Sequence, residues 1–467
     1  MTRLPSTPPP STALLTDRYE LTMLQAALRD GTAARRCVFE VYTRRLPPGR
    51  RYGVVAGTGR VLEELARFRF GTAELDWLAD ERVVDDATLA FLADYRFRGS
   101  VVGYAEGEVF FPYSPVLVVE GTFAEAVLLE TLVLSILNYD SAVASAASRM
   151  TSAAVDRPCL EMGSRRAHEW AGVAAARAAV VAGFAGSSNL EAGRRYQIPT
   201  IGTSAHAFTL LHDDEASAFR SQVDALGSGT TLLVDTYDVK EGVARALAAA
   251  GPRLGAVRLD SGDLAVLAHE VRAQLDAAGA HDVRITVTSD LDEHAIASLA
   301  VAPVDSYGVG TSVVTGSGAP TCGMVYKLVA RQDAHGRLQP VAKASTAKTS
   351  VGGRKSAARR AVAGRDVEEV LVTGPDPRVR ELSASPQAAR DALAALDDGR
   401  RGPGELRPLH VLLVADGEVD ERWTGPQGVR TAAERHRTSR AMLPRGARRL
   451  SADEAALPTV TLTLPGS

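Results

Sequence analysis

Three cysteines in 467 residues, Cys37, Cys159 and Cys322, stand far apart and form no CxxC pair. That scarcity excludes a disulfide framework and a cysteine-based zinc site, and it suits a reducing cytoplasm. Long apolar runs are also missing. The most apolar stretch, Ala126 to Leu137, is interrupted by Glu130 and is too short to span a bilayer, so no membrane is expected as a partner. Positive charge is not in excess: 53 Lys and Arg against 56 Asp and Glu leave a net charge of −3, and nucleic acid is not expected as a partner either. Met1 to Thr12, rich in Pro, Ser and Thr, has no apolar h-region and reads as a loose tail rather than a signal peptide. There is no GxSxG elbow and no locally supported Cys/His pairing, which disfavours an ordinary hydrolase. What is present is ordinary globular composition, 45% hydrophobic and 23% charged, at a length for two domains or one large barrel with an appendage.

The chain opens with apolar residues at helical spacing from Leu14 to Leu28, stopped at Gly31, and a strand is expected over Cys37–Tyr42. Val54 to Tyr95 reads as mainly helical and Val101 to Thr122 as β-rich. From Thr122 to about Ala330, helices alternate with short apolar strands. The clearest strands are Thr231–Asp235, Ala256–Asp260, Arg284–Ser289 and Asp305–Val309, whose starts lie 25, 28 and 21 residues apart. The gaps fit helices over Val239–Ala250, Ser261–Ala278 and Asp290–Ala300, the rhythm of β/α units in a parallel sheet or barrel. Beyond Ala330 the chain reads as basic and loop-rich through Arg360. Strands over Val367–Val372 and Leu409–Val414, an Arg-rich helix over Val429–Met442 and a strand over Thr459–Leu464 follow.

Each of the four central strands runs into a polar cluster: Asp235 to Asp238, Asp260 to Asp263, Ser289 to Asp292, and Gly308 to Ser312. Ligands of barrels and open α/β sheets sit at the C-terminal ends of the strands, so four such clusters imply one shared site. Upstream, Ile198 to Phe208 is apolar and small apart from Thr200, Thr203, Ser204 and His206. An imidazole just past a short strand can act as a base, bind a metal or accept a phosphoryl group, and a core histidine is the bland alternative. His168 and His212 have no metal-ligand spacing to His206. Arg258 lies between Val257 and Leu259 in an otherwise buried strand and needs either a carboxylate or an anionic ligand. Ser261 and Asp263 can be helix caps. Asp235 and Asp238 suit Mg²⁺ held through water, or equally a cap and a salt bridge. Gly308-Val309-Gly310-Thr311-Ser312 and Gly352-Gly353-Arg354-Lys355 are weak phosphate-loop signals beside the simpler reading of turns.

Read together, these segments resemble the nicotinate phosphoribosyltransferase family. The matching pieces are Thr16-Asp17-Arg18-Tyr19-Glu20-Leu21-Thr22-Met23, Phe39-Glu40-Val41, Glu161-Met162-Gly163-Ser164-Arg165-Arg166 and Gly183-Phe184-Ala185-Gly186-Ser187-Ser188-Asn189. They continue, in family order, through Gly202 to His206, Val234 to Asp238, Val257 to Asp263, Gly308 to Ser312 and Tyr326-Lys327-Leu328. The resemblance implies an α/β protein of the type II phosphoribosyltransferase kind, an irregular β/α barrel with an α/β domain built from both ends of the chain. The segments would be a disordered tail over 1–12, an N-terminal α/β domain over 13–121, the barrel with the active site over 122–335, and a completing segment over 336–467. It implies transfer of phosphoribosyl from phosphoribosyl pyrophosphate to nicotinate, coupled to ATP hydrolysis with Mg²⁺, in a homodimer with a shared active site.

By the same resemblance His206 is the phosphorylated residue; Asp235, Asp260 and Asp263, from their shared position at successive strand ends, are expected to be catalytic, with Asp235 the metal contact. Arg166, Thr203, Arg258, Gly310 and Thr311 bind substrate, and Tyr19 meets the pyridine ring from the partner subunit. The chain departs from the family pattern around Lys343 to Lys348 and Arg354 to Arg359. A nicotinamide-using transferase is the nearest rival; Arg165, Arg166 and Arg258 supply the positive charge that an acid substrate wants. Quinolinate phosphoribosyltransferase shares the barrel but has no use for a phosphorylatable histidine. A non-catalytic nucleotide sensor on the same fold would be expected to lose His206 or the acidic clusters, and both are present.

Overall fold

A computed structural model describes residues 11–343, 351–374, 379, 387 and 404–464. By internal contact the chain divides into two units, Ala142–Pro320 and the paired segments Met1–Ser141 and Thr321–Ser467. The division falls inside the long helix Glu130–Ala153.

The central unit is built on six parallel strands. Their order across the sheet is Gly186–Ser187, Cys159–Glu161, Ser306–Val309, Arg284–Val287, Ala256–Leu259 and Thr231–Leu233. Strands consecutive in the chain are mostly neighbours in the sheet, the winding of a half-barrel. Leu232, Val257, Leu259, Ile285, Val287, Tyr307 and Val309 are all buried, the near-continuous apolar runs required when helices cover a parallel sheet. The four expected central strands are present within a residue at their starts; the first three end one or two residues early, where the polar clusters leave the ladder, and the fourth ends at Val309 as expected. The helix Val239–Ala250 has its expected bounds because both ends are marked: the Asp238 carboxylate accepts from the Glu241 amide at 2.9 Å, and Gly251 turns the chain out with φ 71°. The next helix starts at Leu264 rather than Ser261, since Ser261 and Gly262 form a turn (Gly262 φ 84°) and Asp263 caps it.

In the other unit a seven-stranded antiparallel sheet pairs Arg36–Thr43 with both Leu117–Thr122 and Met324–Gln332. Ser100–Tyr104 pairs with His410–Ala415. A four-stranded sheet holds Glu405–Pro408, Lys355–Val362, Arg365–Thr373 and Thr459–Thr463. Residues 1–10 of the expected tail lie outside the described residues; Thr12 is buried, its hydroxyl donating to the Glu64 carbonyl at 3.0 Å. The helix expected from Leu14 begins at Arg18, past a turn, and ends as expected at Gly31, with φ 79°. The three cysteines are buried and free. Among the described residues, no helix is long and apolar enough to cross a membrane.

The basic stretch before Arg360 corrects the sequence reading. From Lys355 onward it is strand, and Arg354, Lys355 and Arg359 are structural cations. The Lys355 ammonium donates to Glu40 at 2.8 Å, Arg354 to Glu120 at 2.5 Å, and the wholly buried Arg359 pairs with Glu108 at 3.0 Å and with Glu369. Buried charges persist only when paired, and these partners are hundreds of residues away or across a hairpin. Gly352 to Lys355 is therefore no phosphate cradle.

Candidate active site

The approach to His206 differs from the expected strand. Pro199 withholds a ladder donor, and between Ile198 and Ala205 only Thr200 makes a bridge, to Ser187. His206 begins the short helix His206–Leu210 and is 40% exposed at its side chain. Its Nδ1 lies 3.1 Å from the Thr236 hydroxyl. Its Nε2 faces two carboxylates, Asp235 Oδ1 at 3.9 Å and Asp260 Oδ2 at 4.0 Å. His206 is thus no core histidine.

The two aspartates come from the ends of adjacent strands and are locked together. Asp235 Oδ2 accepts from the Asp260 backbone amide at 2.8 Å and from the Ser261 hydroxyl at 2.7 Å. Its other oxygen, Oδ1, is buried and has no hydrogen-bond partner among the described residues. An unsatisfied buried acceptor costs roughly 1–3 kcal/mol, more when charged, so the fold retains it against stability. The Asp260 carboxylate opposes it from the neighbouring strand end. Burial disfavours the Asp260 charge, but hydrogen bonds from Thr288 and Arg258 and the charge of Arg258 outweigh it, holding the carboxyl below the usual range.

Arg258 is the hub of this side of the site. Its side chain is 11% exposed, and its Nη2 donates to Asp260 Oδ1 at 2.9 Å and its Nε to the Thr288 hydroxyl at 2.9 Å. Its Nη1 donates to the Thr203 hydroxyl at 2.9 Å and to the Ser204 carbonyl at 3.3 Å. Four of its five N–H groups are thereby engaged. Of the two readings of this half-buried arginine, the structure shows the carboxylate partner; among the described residues one of its N–H groups has no partner.

The remaining candidates separate. Glu161, wholly buried at its strand end, accepts from the Ser187 hydroxyl and the Gly163 amide; burial raises its carboxyl while these bonds oppose the rise. A Cβ on Gly163 would lie 2.3 Å from Val314 and 2.7 Å from the Gly310 carbonyl, so only glycine lets the Glu161 and Gly310 loops meet. Gly310 precedes the single-turn helix Thr311–Val314, and Thr311 is exposed there. Arg166 is exposed in the turn Ser164–Arg166. The Asp263 carboxylate caps the next helix, accepting from the Val266 amide at 3.2 Å. Tyr19 lies in the other unit, 44% exposed, its hydroxyl pKa raised by burial and by Glu130 and Glu20.

Sequence reading did not single out Thr236 or Thr288. Thr236 lies within the Asp235–Asp238 cluster and Thr288 directly precedes the cluster that starts at Ser289, and only the fold reveals their partners. His168 and His212 lie apart from the site, His168 capping a helix and His212 bonded to the Phe208 carbonyl at 2.9 Å. Among the described residues, no group of three His, Cys, Asp or Glu could cage a metal by itself. The unpartnered Asp235 Oδ1 does fit one carboxylate ligand of a hard cation whose other ligands are water and substrate oxygens.

Residues 14–138 match the sequence family described as the nicotinate phosphoribosyltransferase (NAPRTase) N-terminal domain. The nicotinate phosphoribosyltransferase pncB1 of Mycobacterium tuberculosis is 62% identical over 367 residues, covering 77% of this chain and 80% of that protein. The nicotinate phosphoribosyltransferase of Bacillus subtilis is 39% identical over 360 residues, 75% of this chain and 73% of its own. Among solved structures, human nicotinic acid phosphoribosyltransferase superposes with a TM-score of 0.78 at 26% identity, over 96% of this chain and 97% of that one. A nicotinate-nucleotide pyrophosphorylase from Pyrococcus furiosus, with a TM-score of 0.71 and 23% identity over 94% of this chain and 99% of its own, shares the fold.

Proposed function

The chain belongs to the nicotinate phosphoribosyltransferase family, and from that membership we propose how its own residues carry the reaction, transfer of phosphoribosyl from phosphoribosyl pyrophosphate to nicotinate to give nicotinate mononucleotide and pyrophosphate. The observation that carries the reading is the imidazole of His206 set within 4.0 Å of two carboxylates from neighbouring strand ends. His206 takes the phosphoryl group of ATP: a ring nitrogen bonds to phosphorus as the bond to the departing ADP oxygen breaks. Asp235 and Asp260 steady the positive charge that the ring acquires, and later that of the oxocarbenium-like ribose. Arg258 and Thr203 receive the nicotinate carboxylate. Arg166 and the Gly310–Thr311 turn receive phosphate oxygens, the former through its guanidinium and the latter through backbone N–H groups and the Thr311 hydroxyl. Asp263 serves by capping the helix behind the Asp260 turn.

Asp235 would hold Mg²⁺ through its unpartnered Oδ1, and the ion when bound would supply neutralising charge to the pyrophosphate. A homodimer with Tyr19 stacked on the partner's pyridine ring rests on the family resemblance, as does a cytoplasmic setting, with which three buried free cysteines agree. The test is turnover of radiolabelled nicotinate with phosphoribosyl pyrophosphate, with and without ATP. ATP should raise the rate and be hydrolysed in step with product; equal rates with and without it defeat the phosphohistidine assignment.

Arg258 decides acid over amide. Hydrogen bonds to charged groups contribute roughly 1.5–3 kcal/mol, so this contact should favour nicotinate over nicotinamide about ten- to a hundredfold. Arg258→Lys keeps the charge, loses the planar fork and should raise the KM for nicotinate; Arg258→Ala should raise it further and narrow the gap to nicotinamide. Because Arg258 also holds Asp260, kcat should fall in both variants. A fall in kcat with unchanged discrimination would make Arg258 a support for Asp260 alone and leave the acid to Arg165 or Arg166.

A further inference from the structure

We propose that Thr236 is a positioning residue for His206, setting which ring nitrogen carries the proton. Two consecutive residues at the end of one strand address opposite nitrogens of the same ring: Thr236 at Nδ1, 3.1 Å away, and Asp235 at Nε2, 3.9 Å away. Asp235 is itself immobilised by the Asp260 amide and the Ser261 hydroxyl. Thr236 is β-branched, which restricts its χ1 and fixes where its oxygen points.

The chemistry of the partners fixes the proton. Nε2 faces two carboxylates, Asp235 Oδ1 and Asp260 Oδ2, and a lone pair aimed at them is repelled while an N–H is attracted. The other side must then accept, and a hydroxyl is the side chain that can donate to it; at His212, by contrast, a backbone carbonyl faces Nδ1 and can only accept. Thr236 therefore donates to Nδ1 of His206, and Nε2 keeps its proton toward the aspartates. The consequence for catalysis rests on His206 being the phosphoryl acceptor. Nδ1, the nitrogen without a proton, holds the lone pair that bonds to phosphorus as the Thr236 hydroxyl gives way and the ADP oxygen departs, while Nε2 keeps its proton toward the carboxylates. A ring free to spin or to change tautomer presents the protonated nitrogen to ATP part of the time.

The experiment uses full-length protein labelled with ¹⁵N-histidine, with a His206→Ala spectrum identifying the one signal among nine histidines. In the wild type, neutral His206 should show a protonated Nε2 and an unprotonated Nδ1. Thr236→Val should move that signal toward exchange between tautomers. It should also lower the ratio of ATP-supported to ATP-independent turnover, and the rate of label transfer from γ-labelled ATP, about tenfold, the loss of one hydrogen bond. Thr236→Ser should restore all three, which a purely structural role for the threonine methyl would not. Thr236→Ala serves in parallel, with thermal unfolding of each variant as the check on folding. A protonated Nδ1 in the wild type, or a tautomer and labelling rate unchanged in both Val and Ala variants, overturns the proposal. Failure of the wild type to take label would defeat the phosphohistidine reading instead, and the tautomer measurement would still decide the role of Thr236.

Discussion

Asp260→Asn should leave a folded protein whose turnover is lower by about 10²–10³-fold, the range set by removing one preorganised electrostatic group from an active site. The substitution is close to isosteric, and an amide oxygen at the Oδ1 position can still accept from Arg258 and Thr288. The backbone amide still donates to Asp235. What changes is the atom facing His206: a charged Oδ2 at 4.0 Å becomes a neutral N–H₂ group. Nicotinate affinity should fall much less than kcat, since the Arg258 fork is retained. Steady-state kinetics on both constants decide it; an intact kcat would reduce the aspartate to a partner for Arg258. The same residue gives a signed pH expectation. Its folded-state pKa is depressed, so the stability it contributes is present above the ordinary Asp value of about 3.9 and is lost as pH falls through the lower folded value. The gap in unfolding free energy between wild type and Asp260→Asn should be flat from neutral pH to about 5 and close below about 3.9, by urea titration at each pH.

Replacing His206 by Ala should abolish the transfer of label from γ-labelled ATP to an acid-labile, base-stable protein adduct and uncouple ATP hydrolysis from product formation. The imidazole is 40% exposed and, among the described residues, makes one hydrogen bond, to Thr236, so its loss should leave the fold in place. A residual, ATP-independent transfer should persist, because the carboxylates and the Arg258 hub are untouched. Rapid trapping of wild type and variant under turnover provides the comparison. Label on the variant equal to that on the wild type would assign the phosphoryl group elsewhere.

Much of this site is legible in one dimension. The rhythm of strand, polar cluster and helix from Thr231 to Ser312 comes from local rules: apolar runs of strand length, acidic caps, and glycine stops. The helix Val239–Ala250 is bounded by Asp238 and Gly251 within its own sequence. His206, Asp235, Arg258 and Asp260 announce themselves because each is a chemically costly residue in an apolar or strand-end setting. The ordered motifs then carry the family.

What the chain alone left open were partnerships across strands. Of the two readings of Asp263, cap or floor of the site, the fold shows the cap: past the turn at Ser261–Gly262 its carboxylate accepts from the Val266 amide. Arg354, Lys355 and Arg359 look like free cations in sequence; folding places Glu120, Glu40, Glu108 and Glu369 beside them, and burial makes the pairing obligatory. Thr236 and Thr288 are ordinary polar residues until the fold brings their hydroxyls to His206 and Arg258, the second through the paired strands Ala256–Leu259 and Arg284–Val287. Local propensity and capping thus determined the elements and most of the chemical groups from the sequence. The tertiary structure decided which charges meet and which nitrogen faces which carboxylate, because hydrogen bonding and burial act between strand ends far apart in the chain.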